Sequence, residues 1–220
     1  MDGLLRALRE ERGAIKHDLD TRMDWENFSQ SVGWENLRLF GSQRSQPALR
    51  GQEHLADRRR TGHADPADAA FDPLVEEQLA VGMISFGLDE ADITAIMRHP
   101  AVSFITDGLA SGRPHPRAYA TYPRILGRYV REQGVLSLEE AVRKMTSLPA
   151  RKIRLRNKGV IAEGYDADLV VFDPDTVIDK NSYDDPRVHP AGIRHVLVNG
   201  VFVVEDAALT GARPGRVIRD

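Results

Sequence analysis

Apolar positions recur with helical spacing at Leu4, Leu5 and Leu8, with Arg6, Arg9, Glu10 and Glu11 between them, which predicts a surface helix. From Trp25 to Phe40 the periodicity loosens, and residues 34–40 read as a strand leading into the polar, turn-rich loop 41–47. Residues 51–61 read as a helix ending in Arg58, Arg59 and Arg60. Asp65-Pro66 should open another, because aspartate caps free N–H groups and proline suits the first helical position; it would run to about Leu79.

The pattern then alternates. Residues 81–86 form a short apolar run that predicts a strand. Residues 89–98 carry an N-cap residue, an acidic first turn and apolar Ile93, Ile96 and Met97, which predicts a helix. Residues 101–106 form a second apolar run that stops at Asp107-Gly108. Strand, helix, strand in this span is the size of one βαβ unit, implying neighbouring parallel strands. Asp107 would then end its strand, at the edge where parallel α/β folds bind ligands.

Residues 109–124 read as a loop rich in proline and arginine. Ser137-Leu-Glu-Glu140 is a capping box, opening a helix whose Leu138, Ala141, Met145 and Leu148 share a face. Beyond about Asn157 the pattern is all-β: a strand at 167–172, then strands at 193–198 and 201–204 around Asn199-Gly200, the dipeptide of a tight hairpin. No internal repeat is present.

Composition narrows the class. Hydrophobic residues make up 41% and charged residues 29% of 220, and 18 glycines with 12 prolines are too few for a low-complexity chain. No apolar run is long enough to cross a bilayer, and the first residues lack the apolar stretch of a signal peptide, so the expectation is a cytoplasmic, soluble protein without a membrane partner. Zero cysteines exclude disulfides, thiol catalysis and thiolate metal ligands. A net charge of −3 argues against a nucleic-acid partner, and Arg58 to Arg60, without interleaved aromatics, read as a solvated face.

Two residues carry candidate chemistry. Asp107, followed by glycine, is either a catalytic or metal-adjacent carboxylate or a turn-forming Asp-Gly, and spacing alone favours the turn. Arg117 offers a fork that fits a substrate carboxylate, or it pairs with a surface acid. The seven histidines show no metal-ligand spacing. His115 either orders the 109–124 loop or touches substrate, and His195 reads as a cross-strand surface partner. No metal site can be assembled from these residues.

Residues 105–108 (Ile-Thr-Asp-Gly), 115–127 (His-Pro-Arg-Ala-Tyr-Ala-Thr-Tyr-Pro-Arg-Ile-Leu-Gly) and 138–149 closely resemble the N-acyl-D-amino-acid deacylases (D-aminoacylases) of the amidohydrolase superfamily. The tail agrees at 159–174, at Val198-Asn-Gly200 and at 210–216; the likeness is dense from about residue 81 onward and looser before it. The tail resembles amidohydrolases in general, and the His-Pro-Arg stretch narrows it to the deacylases. The resemblance implies a metal-dependent (β/α)8 barrel with a small β-domain, hydrolysing the amide of an N-acyl-D-amino acid. Zinc would polarise the carbonyl and activate water. Asp107 would take the proton from that water and give it to the departing amine. Arg117 would hold the substrate's α-carboxylate, with His115 beside it.

This chain departs from the family in having Thr106 where serine is usual and Ala120 where glycine is usual. The family's zinc ligands, histidines and a cysteine on earlier barrel strands, are absent from this chain. A complete barrel takes about 250 residues. The expectation is therefore an α/β chain: residues 1–156 as the last strands and helices of an amidohydrolase barrel, and 157–220 as part of the small β-domain. Its substrate would be a small N-acyl-D-amino acid, and a chain carrying the N-terminal barrel half would be the partner that completes it. The alternatives are a non-catalytic remnant or interaction module, and a hydantoinase-like ring opening, against which the His-Pro-Arg stretch speaks.

Overall fold

A computed structural model describes residues 2–41, 53–54, 62, 64–109 and 114–218. The chain forms two compact units, Met1–Asp89 with Ala110–His115, and Glu90–Leu109 with Pro116–Asp220.

The first unit contains helices α1 (Asp2–Glu10), α2 (Arg12–Thr21) and α3 (Phe28–Ser31), strands β1 (Leu37–Gly41) and β2 (Glu53–His54), helix α4 (Pro66–Glu76) and strand β3 (Val81–Ser85). Its sheet has the order β2-β1-β3 and is antiparallel throughout, with Arg38 opposite Ile84. Leu8, Leu37, Leu39 and the 67–71 stretch of α4 form its core. Asp65 caps α4 as the sequence implies, accepting from the Ala67 N–H at 2.9 Å. Arg12 and Lys16 of α2 clamp onto that helix through Asp72 (2.5 Å) and Asp68 (2.6 Å). The helix expected over 51–61 does not form at Glu53 and His54. These two residues extend the sheet beside β1, where backbone pairing outweighs a weak helical pattern, and the rest of 51–61 lies outside the described residues.

The second unit contains helices α5 (Glu90–Arg98) and α6 (Arg117–Arg124), a run of wider π-type turns at Ile125–Glu132, and helices α7 (Leu138–Met145) and α8 (Ser147–Lys152). Strands β4 (Leu169–Phe172), β5 (Ile193–Val198), β6 (Val201–Glu205) and β7 (Ala208–Leu209) come next as a four-stranded antiparallel sheet in that order. Met97, Phe104, Ile125, Leu126, Tyr129, Val135, Ala141 and Val177 form its core. The Ser137 hydroxyl accepts from the Glu140 N–H at 3.2 Å, as the capping box requires. The Asn199-Gly200 hairpin is present, with φ of 49° and 76°, the left-handed pair that matches the twist of the flanking strands. Part of the expected 109–124 loop is instead α6. Pro116 precedes it at φ −50°, a helical value that opens the helix rather than blocking it.

The expected βαβ unit does not form. β3 pairs antiparallel with β1, and residues 101–106 belong to no sheet among the described residues. The physical reason lies in where that segment's carbonyls go. Lys144 Nζ donates to His99 O and, at 3.2 Å, to Val102 O. Arg143 Nη2 donates to Pro100 O at 2.9 Å, and Lys152 Nζ donates to Ala101 O. Cationic side chains of α7 and α8 thus hold the carbonyls of residues 99–102 and tie the start of the expected strand to those helices. Phe104 N–H donates to the Lys144 carbonyl at 3.0 Å, pinning the far end of the segment to α7.

The Lys144 side chain is completely buried, its ammonium over the Phe104 ring, and burial pulls it below the usual lysine range. Lys144→Ala is expected to destabilise the protein by about 2–4 kcal/mol, because it opens a cavity and removes the donor to two part-buried carbonyls; urea unfolding measures this. In the terminal sheet, Lys158 and the Asn199 N–H (2.8 Å) hold the Asp168 carboxyl below the usual carboxylate range. The stabilisation from Asp168 is complete above the unfolded value of about 4 and is lost as pH falls through the lower folded value. The urea midpoint should therefore drop as the pH is taken below about 4, with a smaller drop in Asp168→Asn.

Candidate active site

Asp107 lies at the end of the extended segment that α7 pins down. Its φ of 43° is left-handed, a conformation that aspartate tolerates better than most residues, and it turns the chain sharply. The next residue, Gly108, lets the turn approach α6 closely. A Cβ there would lie 2.6 Å from Ala118 Cα and 2.9 Å from Ala118 Cβ, so the turn rests directly on the first turn of α6.

Arg117 opens α6 and reaches back to the same turn. Its Nε donates to the Asp107 carbonyl at 3.0 Å, and its Nη2 lies 2.6 Å from Asp107 Oδ2. One guanidinium edge thus engages both the main chain and the side chain of a single residue. The side chains are 47% and 74% exposed, so the pair is hydrated and adds little to stability. The pair sets a carboxylate beside an arginine fork.

The structure therefore brings Asp107 and Arg117 together. His115, half-buried, is grouped with the first unit rather than with this pair. Ala120 sits at a kink in α6 with φ −141°, outside the left-handed region, so the kink makes no demand for glycine. Sequence reasoning missed Lys144 as the anchor of the Asp107 segment. The available signal was a lysine three residues after Ala141, flanking the apolar stripe of α7.

Among the described residues, no group of three or more His, Asp or Glu side chains is gathered closely enough to hold a metal ion. The donor set described does not fit a zinc ion.

The sequence pattern of the amidohydrolase family matches residues 44–204, most of the chain. The chain belongs to the amidohydrolase family. It is 48% identical over 139 residues to an N-acyl-D-glutamate deacylase from Alcaligenes xylosoxydans xylosoxydans. It is 43% identical over 156 residues to a D-aminoacylase from the same organism. These alignments take in 63% and 70% of the chain, but only 28% and 32% of the relatives. Among solved structures, the N-acyl-D-glutamate deacylase of Bordetella bronchiseptica, complexed with zinc and a phosphonate mimic of the reaction's tetrahedral intermediate, superposes with a TM-score of 0.74 at 38% identity. That match covers 88% of this chain and 39% of the other. A D-aminoacylase described as defining a novel subset of amidohydrolases superposes at 0.70, with 33% identity, covering 94% and 45%. The chain thus spans about a third to a half of the length of these proteins. Its mixed helix and sheet is part of an amidohydrolase (β/α)8 barrel fold with a C-terminal antiparallel sheet. No helix among the described residues is long and apolar enough to cross a membrane.

The close seat of Gly108 on Ala118 yields a test of the site's geometry. Gly108→Val should force the turn off α6, costing about 1–3 kcal/mol. It should shift amide resonances of residues 105–109 and 117–120 while leaving those of the terminal sheet in place.

Proposed function

We propose that this chain supplies the C-terminal part of an enzyme that hydrolyses the amide bond of N-acyl-D-amino acids. The observation that carries the proposal is the Asp107–Arg117 pair, a proton-carrying group and an anion-binding fork on one turn. The relatives named as deacylases support the same chemistry. Arg117 would hold the substrate's α-carboxylate. Asp107 would accept a proton from water as the hydroxyl adds to the scissile carbonyl carbon. It would return that proton to the nitrogen as the C–N bond breaks, releasing a carboxylate and a free D-amino acid.

Zinc accompanies the Bordetella relative. Its ligands in a working enzyme here would come from a chain carrying the N-terminal barrel half. In this proposal residues 1–156 complete the barrel and 157–220 belong to the small β-domain. The second reading, a non-catalytic interaction module, is favoured by residues 103–106, which lie in no sheet among the described residues and beyond the carbonyls that the α7 and α8 cations hold, because such a stretch can pair with another chain.

Reconstitution separates the two. The purified chain alone should hydrolyse no N-acetyl-D-amino acid, even with added zinc. Co-expression with the N-terminal half of a D-aminoacylase should yield zinc-dependent release of D-amino acid, and Asp107→Asn should lower that rate by about 10²- to 10⁴-fold. Reconstituted turnover that Asp107→Asn leaves intact would overturn the assignment of the acid–base role. A stable complex without turnover would favour the interaction module.

A further inference from the structure

The guanidinium that would recognise the substrate already holds a carboxylate, and that carboxylate is the proposed base. We infer that Arg117 couples capture of the substrate's carboxylate to release of Asp107, so that an acid-bearing ligand shifts the base toward its free state. The inference rests on the deacylase assignment above and adds to it a rule for when the site is armed.

The geometry separates a permanent contact from a replaceable one. Nε and Nη2 form the side edge of the guanidinium, one of the edges on which arginine receives a carboxylate through two parallel hydrogen bonds. Here Nε is engaged by the Asp107 main-chain carbonyl at 3.0 Å, and Nη2 by Oδ2 at 2.6 Å. The main-chain contact is fixed by the turn, whose left-handed residue and packed Gly108 leave it little room to move. The side-chain contact is solvent-exposed on the aspartate side, so water can take its place at little cost. A ligand carboxylate that docks on this edge must therefore evict Oδ2. The backbone bond keeps the guanidinium against the turn while the exchange takes place. The freed carboxylate remains on the adjacent Cβ, next to the ligand that displaced it.

Recognition is affected in two ways. Asp107 competes with the ligand for Arg117, so it weakens binding of carboxylates. An N-acyl compound without a carboxylate gains nothing from Arg117 and leaves the Asp107–Arg117 pair undisturbed, so it is disfavoured in binding and does not add to the free base.

The test uses the 220-residue chain with N-acetyl-D-alanine and N-acetyl-D-alaninamide as probes, monitored by calorimetric titration and by the arginine Nε–H resonances. Asp107→Asn removes the competing charge from an exposed side chain. It should bind N-acetyl-D-alanine about two- to five-fold more tightly than the parent chain, the span expected of an exposed ion pair. Arg117→Gln should abolish that binding, and the alaninamide should show no difference between parent and Asp107→Asn. In the parent chain, N-acetyl-D-alanine should move the Arg117 Nε–H and Asp107 carboxyl-carbon resonances along the same saturation curve. This measurement needs no variant to fold. If Asp107→Asn binds equally or more weakly while Arg117→Gln loses binding, the ligand uses another edge and the exchange is wrong, though the carboxylate-binding role of Arg117 survives. If neither the parent chain nor Asp107→Asn binds N-acetyl-D-alanine, the carboxylate-binding role falls, and the exchange falls with it.

Discussion

A single buried ammonium organises the segment that leads to Asp107. Lys144 has no exposed surface, yet its charge lies over an aromatic face and against two main-chain carbonyls, with Glu140 Oε1 at 3.7 Å. Such a group is tolerated in an interior only when hydrogen-bonded on several sides, and loss of a partner is costly. The two carbonyls and the Phe104 ring lie on the segment leading to Asp107. The turn that presents the carboxylate is therefore held by α7 through charge–dipole contacts rather than through a sheet. Arg143 and Lys152 extend the same arrangement to the intervening carbonyls.

Much of this was legible in the residues, and the gaps have physical causes. Strong local signals came through: Asp65-Pro66 before α4, the Ser137 box before α7, and Asn199-Gly200 in the terminal hairpin each act through bonds made within a few residues. The βαβ expectation failed because apolar runs at 81–86 and 101–106 state only that both segments are extended and partly buried. Which strand lies beside which is a long-range matter, and β3 found β1. The 117–124 helix was hidden by its prolines, which usually end helices but here fall at the entry and within a kinked turn.

The candidate site shows the same division. Asp107 was visible as a carboxylate before glycine, and Arg117 as a fork on a neighbouring segment, but spacing alone could not join them. The contact that joins them depends on Gly108 meeting Ala118, a close approach between residues ten apart that no periodicity reveals. Lys144 was concealed for the opposite reason. A lysine in a helix is ordinarily read as facing water, and only the backbone acceptors of a distant segment make its burial tolerable.

The row of cations facing residues 99–102 bears on the order in which such a barrel can be assembled. A last strand that had to wait for its neighbours would stay shapeless until the cylinder closed. Here helices later in the same unit supply donors to those carbonyls, so the bend carrying Asp107 can be set before any further strand is laid beside it.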